Sequence, residues 1–328
     1  MVNLPYKPPV SNLLVYPTVT GYQVKDWPNY VEALGLTAEH IPALIDLILD
    51  ETFLQFWGDA VDEADLPDLE PDVPDPASVI IHAWRALGQL QAEAAVPALI
   101  KILTDYEDLE WAWEEIPVAL GMIGPAAIAP IHAVLVNPDI RTGPKISLCD
   151  SFEKIVADYP ECRDQVVALL SDFLANPHHD EPDLNGNVCL SLVKLKAVEA
   201  VEVMEAAYAE NRVNPRMAGT WATVQVNLGL KSEEDFAPED FALPPDPKFD
   251  AMMRDIRGYL DQLTRSQKPT AIEIGLPLNY GHWADGFGAP TFDALASPKP
   301  AIDTSSPQGF GGSAGSAKKK KKNKKKKG

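Results

Sequence analysis

The chain has 328 residues, 46% of them hydrophobic, which is enough apolar material for a sizeable core and excludes wholesale disorder. Three cysteines, Cys149, Cys162 and Cys189, are too few and too scattered for a disulfide framework or a metal knuckle, and they point to a reducing, cytoplasmic compartment. The net charge of −20 hides an asymmetry: nine of the 28 basic residues lie in the last eleven positions, leaving 19 against 48 acidic ones and a body of −29 that argues against phosphate-neutralising nucleic acid binding by the folded part.

In chain order, residues 1–36 read as a Pro-rich N-terminal arm with Tyr6, Tyr16, Tyr22 and Trp27. Met1 to Val10 has three prolines and no apolar stretch, so no signal peptide is read there. From Thr37 a helical pattern begins, with Ile41, Leu44, Ile45, Ile48, Leu49, Phe53, Phe56 and Trp57 at helix spacing and Pro42 tolerated in the first turn. An acidic loop over 59–76 follows. It holds eight carboxylates between Asp59 and Asp75, with Pro67, Pro71 and Pro74, and should be solvated and irregular.

The region 77–230 repeats itself. Ala86-Leu87-Gly88 is followed by Pro97, and Ala119-Leu120-Gly121 by Pro130 at the same spacing, an offset of 33. Ser191 to Ala197 matches Ala86 to Ala92 at an offset of 105, with Ala200-Val201 over Ala95-Val96. Ile155 and the run Val166 to Leu174 supply one more helix pair. Such self-similarity predicts an all-α protein, an α-solenoid of antiparallel helix pairs over 37–265, because one pair alone cannot bury its apolar stripe. Asn137-Pro138, Asn176-Pro177 and Asn214-Pro215 punctuate it, and Asn214 suits the N-cap of the next helix. Phe249, Met252, Met253, Ile256, Tyr259, Leu260 and Leu263 mark a last amphipathic helix.

Ile116 to Val136 runs 21 residues without a formal charge, about the length of a membrane span. Pro117, Pro125 and Pro130 with Gly121 and Gly124 break it, so it reads as two buried helices joined at Gly124-Pro125 and no transmembrane segment is expected. Residues 266–296 form a Gly- and aromatic-rich extended segment (Tyr280, His282, Trp283, Phe287, Phe292) that reads either as a linear motif for another protein or, the favoured reading because terminal repeats need covering, as a segment lying across or capping the helical body. Residues 297–328 read as a disordered linker and poly-lysine tail.

The blocks Ala86-Leu87-Gly88 with Ala95-Val96-Pro97, and Ala119-Leu120-Gly121 with Pro130, resemble bacterial HEAT-like repeats of the phycobilisome-lyase type. The stretch Ala200 to Tyr208, then Arg212-Val213-Asn214-Pro215, resembles an uncharacterised bacterial group within that class, some of whose members end in a Cys-rich, metal-binding SEC-C motif. Gly315-Ser316-Ala317-Lys318-Lys319 is similar to part of that motif, but every cysteine ligand is missing, so metal binding does not carry over. The resemblance implies a fold more than a function.

No catalytic constellation is legible and no cofactor is expected. His178, His179 and Asp180 are the densest possible metal ligands, yet adjacent histidines in a loop diverge rather than converge, and a polar connection is the plainer reading. The cysteines lack a neighbouring base and read as core. The sharpest binding candidate is the run from Asp105 to Glu115. Its acids and aromatics (Asp105, Tyr106, Glu107, Asp108, Glu110, Trp111, Trp113, Glu114) either form a partner-binding ridge or pack the tryptophans inward with the acids solvated. Trp84 and Trp221, inside helical stripes, read as core. The tail lysines Lys318, Lys319, Lys320, Lys321, Lys322, Lys324, Lys325, Lys326 and Lys327 form a polyanion-binding candidate, limited to weak, salt-sensitive nucleic acid contact by the acidic body.

The sequence thus leads to a non-enzymatic scaffold or adaptor with an acidic surface for a basic protein or peptide. Two alternatives stay open: a HEAT-like lyase or enzyme accessory acting on a bound cofactor, and a protein docked on nucleic acid or ribosomes through its lysine tail.

Overall fold

The computed structural model describes residues 5–17, 19, 24–54, 76–106, 109–245, 247 and 251–258. The acidic loop before Pro76, the segment 266–296 and the tail 297–328 lie outside the described residues. Among the described residues all regular structure is helical and no strand occurs. The helices are α1 (Tyr30–Leu34), α2 (Ile41–Ile48), α3 (Glu51–Leu54), α4 (Pro76–Gln89), α5 (Val96–Asp105), α6 (Glu110–Ile123) and α7 (Ile128–Leu135). They continue with α8 (Thr142–Asp158), α9 (Arg163–Ala175), α10 (Pro182–Lys194), α11 (Val201–Ala209), α12 (Pro215–Ala218) and α13 (Trp221–Asn227).

A common grammar joins them. From α4 to α11 each longer helix ends, a short 3-10 turn follows, and a second helix starts directly after it. Pro42 and Pro97 sit in the first turns of α2 and α5, where a missing N–H costs nothing. Pro215 opens α12, and the Asn214 side chain accepts from the Arg216 N–H at 3.0 Å. The turns after α4 and α10 match in detail. Gln91 and Lys196 take left-handed φ of 51° and 53°, and the next amides, of Ala92 and Ala197, bond back to the Leu87 and Leu192 carbonyls at 3.0 and 2.9 Å. This shared helix stop is the physical content of the 105-residue offset. Gln91 has its own reason not to be glycine: its Nε2 donates to the Tyr159 hydroxyl at 2.7 Å across an open hollow of about 410 Å³.

The longer helices pack side by side, α4 beside α2 and α6, α6 beside α8, α8 beside α10, and α10 beside α12. The glycines of the repeated block permit the close approach. A Cβ on Gly88 would lie 3.0 Å from Ala119 Cα, and one on Gly121 would lie 2.6 Å from Lys154 Cβ. Leu87, Leu120, Ile155 and Leu192 are all 0% exposed, one on each of α4, α6, α8 and α10. Pro117 sits inside α6 and cannot donate to the Trp113 carbonyl one turn back; Ser147 Oγ on α8 donates to that carbonyl instead, at 2.9 Å.

The apolar stretch 116–136 is broken as its prolines require. α6 and the run from Pro125 to Leu135 meet at 118°, and no single helix among the described residues is long and apolar enough to cross a membrane.

The N-terminal region differs from the expected extended arm. Val10–Val15 winds into a 3-10 helix that buries Val10 and Leu13, α1 forms before residue 37, and Trp27, Tyr30 and Leu36 join the core. Its aromatic residues gain more by covering α4 than by solvation. The helical pattern from residue 41 is also interrupted: Asp50 accepts from the Thr52 N–H (2.9 Å) and from the Tyr6 hydroxyl (2.8 Å), which starts α3 as a separate turn.

Candidate partner-binding surface

Helix α4 carries a polar file, Ser78, His82, Arg85 and Gln89, at spacings that place all four on one face. The N-terminal region lies along it and is gripped by its backbone. Ser78 Oγ accepts from Val19 N–H (3.2 Å), Gln89 Oε1 accepts from Tyr30 N–H (2.9 Å), and Gln89 Nε2 donates to Pro28 O (2.8 Å). His82 Nε2 donates to Pro17 O at 2.9 Å, which leaves Nδ1 to accept from the Tyr30 hydroxyl at 2.7 Å. Burial pushes the Tyr30 phenol up to about 12, so it stays a donor.

Arg85 faces two ways. Its guanidinium lies 4.8 Å from the Trp27 ring and 5.8 Å from the Trp111 ring. It also forms a bidentate pair with Glu115 of α6, whose Oε2 accepts from Arg85 Nε at 2.8 Å and from Trp84 Nε1 at 2.9 Å. The two side chains are 3% and 0% exposed. Burial drives the Glu115 carboxyl upward against the pull of Arg85, while for Arg85 the carboxylate outweighs burial and holds the guanidinium charged.

The predicted ridge is divided by this pair. Asp105 is exposed and pairs with Lys101 one turn earlier. Tyr106, Trp111 and Trp113 are half-buried and packed on the core, and Glu114 is half-buried. The Trp113 ring rests over Gly143, where a Cβ would come within 2.7 Å of it. Glu107 and Asp108 lie outside the described residues, and Glu110 opens α6. The aromatics therefore serve the helix packing, and Glu115, at the end of the same acidic run, is inside.

The loop before α10 does not gather metal ligands. His178 and Asp180 are exposed, and His179 stacks on Phe173 at 4.1 Å between ring centres. Among the described residues no group of three or more His, Cys, Asp or Glu converges. Glu181, next in the chain, instead accepts from Lys145 Nζ (2.6 Å) and Thr142 Oγ1 (2.5 Å) of α8. All three cysteines are free and buried, and burial raises each thiol. None is poised as a nucleophile.

A second polar seam, not read from the sequence, lies between α8 and α10. Glu153 pairs with Lys194 Nζ at 3.1 Å and accepts from Ser191 Oγ at 3.3 Å, while Asp150 accepts from Asn187 Nδ2 at 3.4 Å. Burial raises the Glu153 carboxyl, and neighbouring Asp150 adds to it against the pull of Lys194. Asn187 is 0% exposed, and among the described residues its Oδ1 meets no hydrogen-bond partner. Comparison with family models, with curated proteins and with solved structures finds no match to the chain.

Proposed function

We propose that the chain is a non-enzymatic, cytoplasmic binding scaffold, an α-solenoid of HEAT-like antiparallel helix pairs whose acidic surface holds a basic protein or peptide. The observation that carries this reading is the way α4 already holds a polypeptide: one helix face grips backbone groups of Pro17, Val19, Pro28 and Tyr30 through side chains. A body of −29 adds the charge to hold a basic chain.

Capture from cell lysate with the full chain and with a chain lacking Lys318–Lys327, followed by titration of each purified captured protein, tests the proposal. Basic proteins retained by both baits and released by salt are expected. Retention that depends on the tail alone would move the function to the tail and overturn it.

A further inference from the structure

The scaffold reading leaves open where a basic chain is anchored, and the inference that follows rests on that reading. We propose that the open hollow at the ends of α4, α6 and α8 receives an arginine side chain of the basic partner.

The hollow, of about 410 Å³, is lined by Gly88, Gln89, Gln91, Met122, Asp158 and Tyr159. Three helix ends meet there. Gly88 and Gln89 close α4, Met122 lies in the last turn of α6, and Asp158 is the last residue of α8. A helix C-terminus carries partial negative charge and favours a cation beside its last turn. The exposed Asp158 carboxylate adds a full charge to the three ends, and the Tyr159 ring lines the same space. Among the described residues no basic side chain lines the hollow. Lys154, one turn before Asp158 on α8, packs its Cβ against Gly121.

Elsewhere in the molecule, helix ends of this kind take up cations. Arg212 Nη1 donates to the Leu174 carbonyl at the end of α9, at 3.0 Å. Arg163 donates to the Leu195 and Lys196 carbonyls just past α10, from Nε at 3.0 Å and from Nη2 at 3.1 Å. Lys196 Nζ donates to the Asn227 carbonyl, the last of α13, at 2.8 Å.

The Lys196 contact bears directly on the hollow. The 105-residue offset puts Lys196 on Gln91 and Asn227 on Met122. Both turn residues take left-handed φ, and each sends its side chain to the carbonyl 31 residues further on. In the later repeat an ammonium of the chain itself sits on that carbonyl. In the earlier one a neutral amide reaches it, at 3.4 Å. The earlier repeat thus keeps the acceptor geometry of the later one without a cationic side chain of its own. A guanidinium suits it better than an ammonium, because its planar fork gives a carboxylate two donors and its face stacks on an aromatic ring.

The probe is a fluorescently labelled octapeptide of alternating arginine and glycine, titrated against the full chain at low salt and read by anisotropy. Gln91→Lys supplies the side chain that the later repeat already uses, so it should fill the hollow and weaken binding at least about tenfold. Asp158→Asn should weaken it at least about threefold. The exposed double variant Glu233→Gln/Glu234→Gln removes more charge at a distance from the hollow and should change Kd less than about twofold. A loss in Gln91→Lys no larger than in this control, or unchanged binding in Asp158→Asn, would overturn the hollow and leave the scaffold reading intact. No binding to the wild-type chain would overturn both. Carbodiimide labelling of the wild-type chain with glycine ethyl ester needs no variant: the peptide should slow labelling of Asp158 and leave Glu233 and Glu234 unaffected. Equal slowing at all three acids, or none at Asp158, refutes the proposal.

Discussion

The Arg85–Glu115 pair offers the most severe test of the packing described above. Replacing Glu115 by alanine removes the acceptor of three hydrogen bonds, from Arg85 Nε, Arg85 Nη2 and Trp84 Nε1. It leaves a guanidinium that is 3% exposed without the Glu115 carboxylate, held by its remaining contacts with Tyr30 and the Trp27 and Trp111 rings. Breaking a buried ion pair by deleting one partner costs about 3–5 kcal/mol, because the remaining charge is stranded. The Trp27 and Trp111 rings lie beside the guanidinium in both proteins and keep it from being wholly unpaired, so a loss toward the lower end, about 3 kcal/mol, is expected. Replacing both residues, Arg85→Met with Glu115→Leu, removes the stranded charge and should cost less than Glu115→Ala alone. Urea unfolding followed by far-ultraviolet circular dichroism, with tryptophan fluorescence as a second probe, gives the free energies. A loss below about 1 kcal/mol for Glu115→Ala, or strict additivity in the double variant, would show that the pair is not buried and coupled as described.

Leu87→Ala should cost about 2–5 kcal/mol by the same unfolding assay, since the side chain is 0% exposed; a change under about 0.5 kcal/mol would place Leu87 at the surface. Burial, with Lys145 next, lowers the His179 pKa from 6.5, so folding disfavours its protonation: its contribution is complete above pH 6.5 and is lost as pH falls through the folded-state value. The stability difference between wild type and His179→Leu should therefore shrink as pH drops below 6.5, and a pH-independent difference would refute the assignment. For Glu181, burial works upward but the bonds from Lys145 and Thr142 prevail and lower its pKa, so Glu181→Gln should cost stability at neutral pH and progressively less below pH 4.5. Deleting Lys318–Lys327 should abolish weak nucleic acid binding seen at low salt, where nine phosphate contacts would give a salt slope near about −8, and leave the unfolding midpoint unchanged; binding that survives physiological salt would refute it.

Helix positions were legible because they depend on local signals. The Ala-Leu-Gly blocks, Pro97 and Pro130 after their turns and the Asn-Pro pairs mark helix starts and stops, and Leu87, Leu120 and Leu192 lie buried where the repeat put them. Glu115 was not legible. Within an acidic run it looks like its solvated neighbours, and only Arg85, thirty residues earlier, decides that it goes inside. The N-terminal region misled for a related reason. Prolines and tyrosines read as an extended arm until a receiving surface is known. That surface did leave a trace: Ser78, His82, Arg85 and Gln89 interrupt an otherwise apolar helix along a single stripe, which is a buried polar file waiting for partners. The α8–α10 seam leaves none, because Asp150, Glu153, Asn187 and Ser191 are ordinary helix-surface residues until two helices meet.

The proline inside α6 reaches beyond its own helix. A bond that an ordinary helix closes within four residues is here made across 34, from Ser147 to the Trp113 carbonyl. Stabilisation that would have belonged to α6 itself is thereby transferred to its junction with α8. A bond made at the junction ties the stability of α6 to that of α8, so the two helices are expected to respond together to a change in either. It also makes the folding of this stretch wait on a more distant contact, which lengthens the loop that must close before α6 is complete. The α6–α8 junction is in this way expected to open and close as a unit rather than helix by helix.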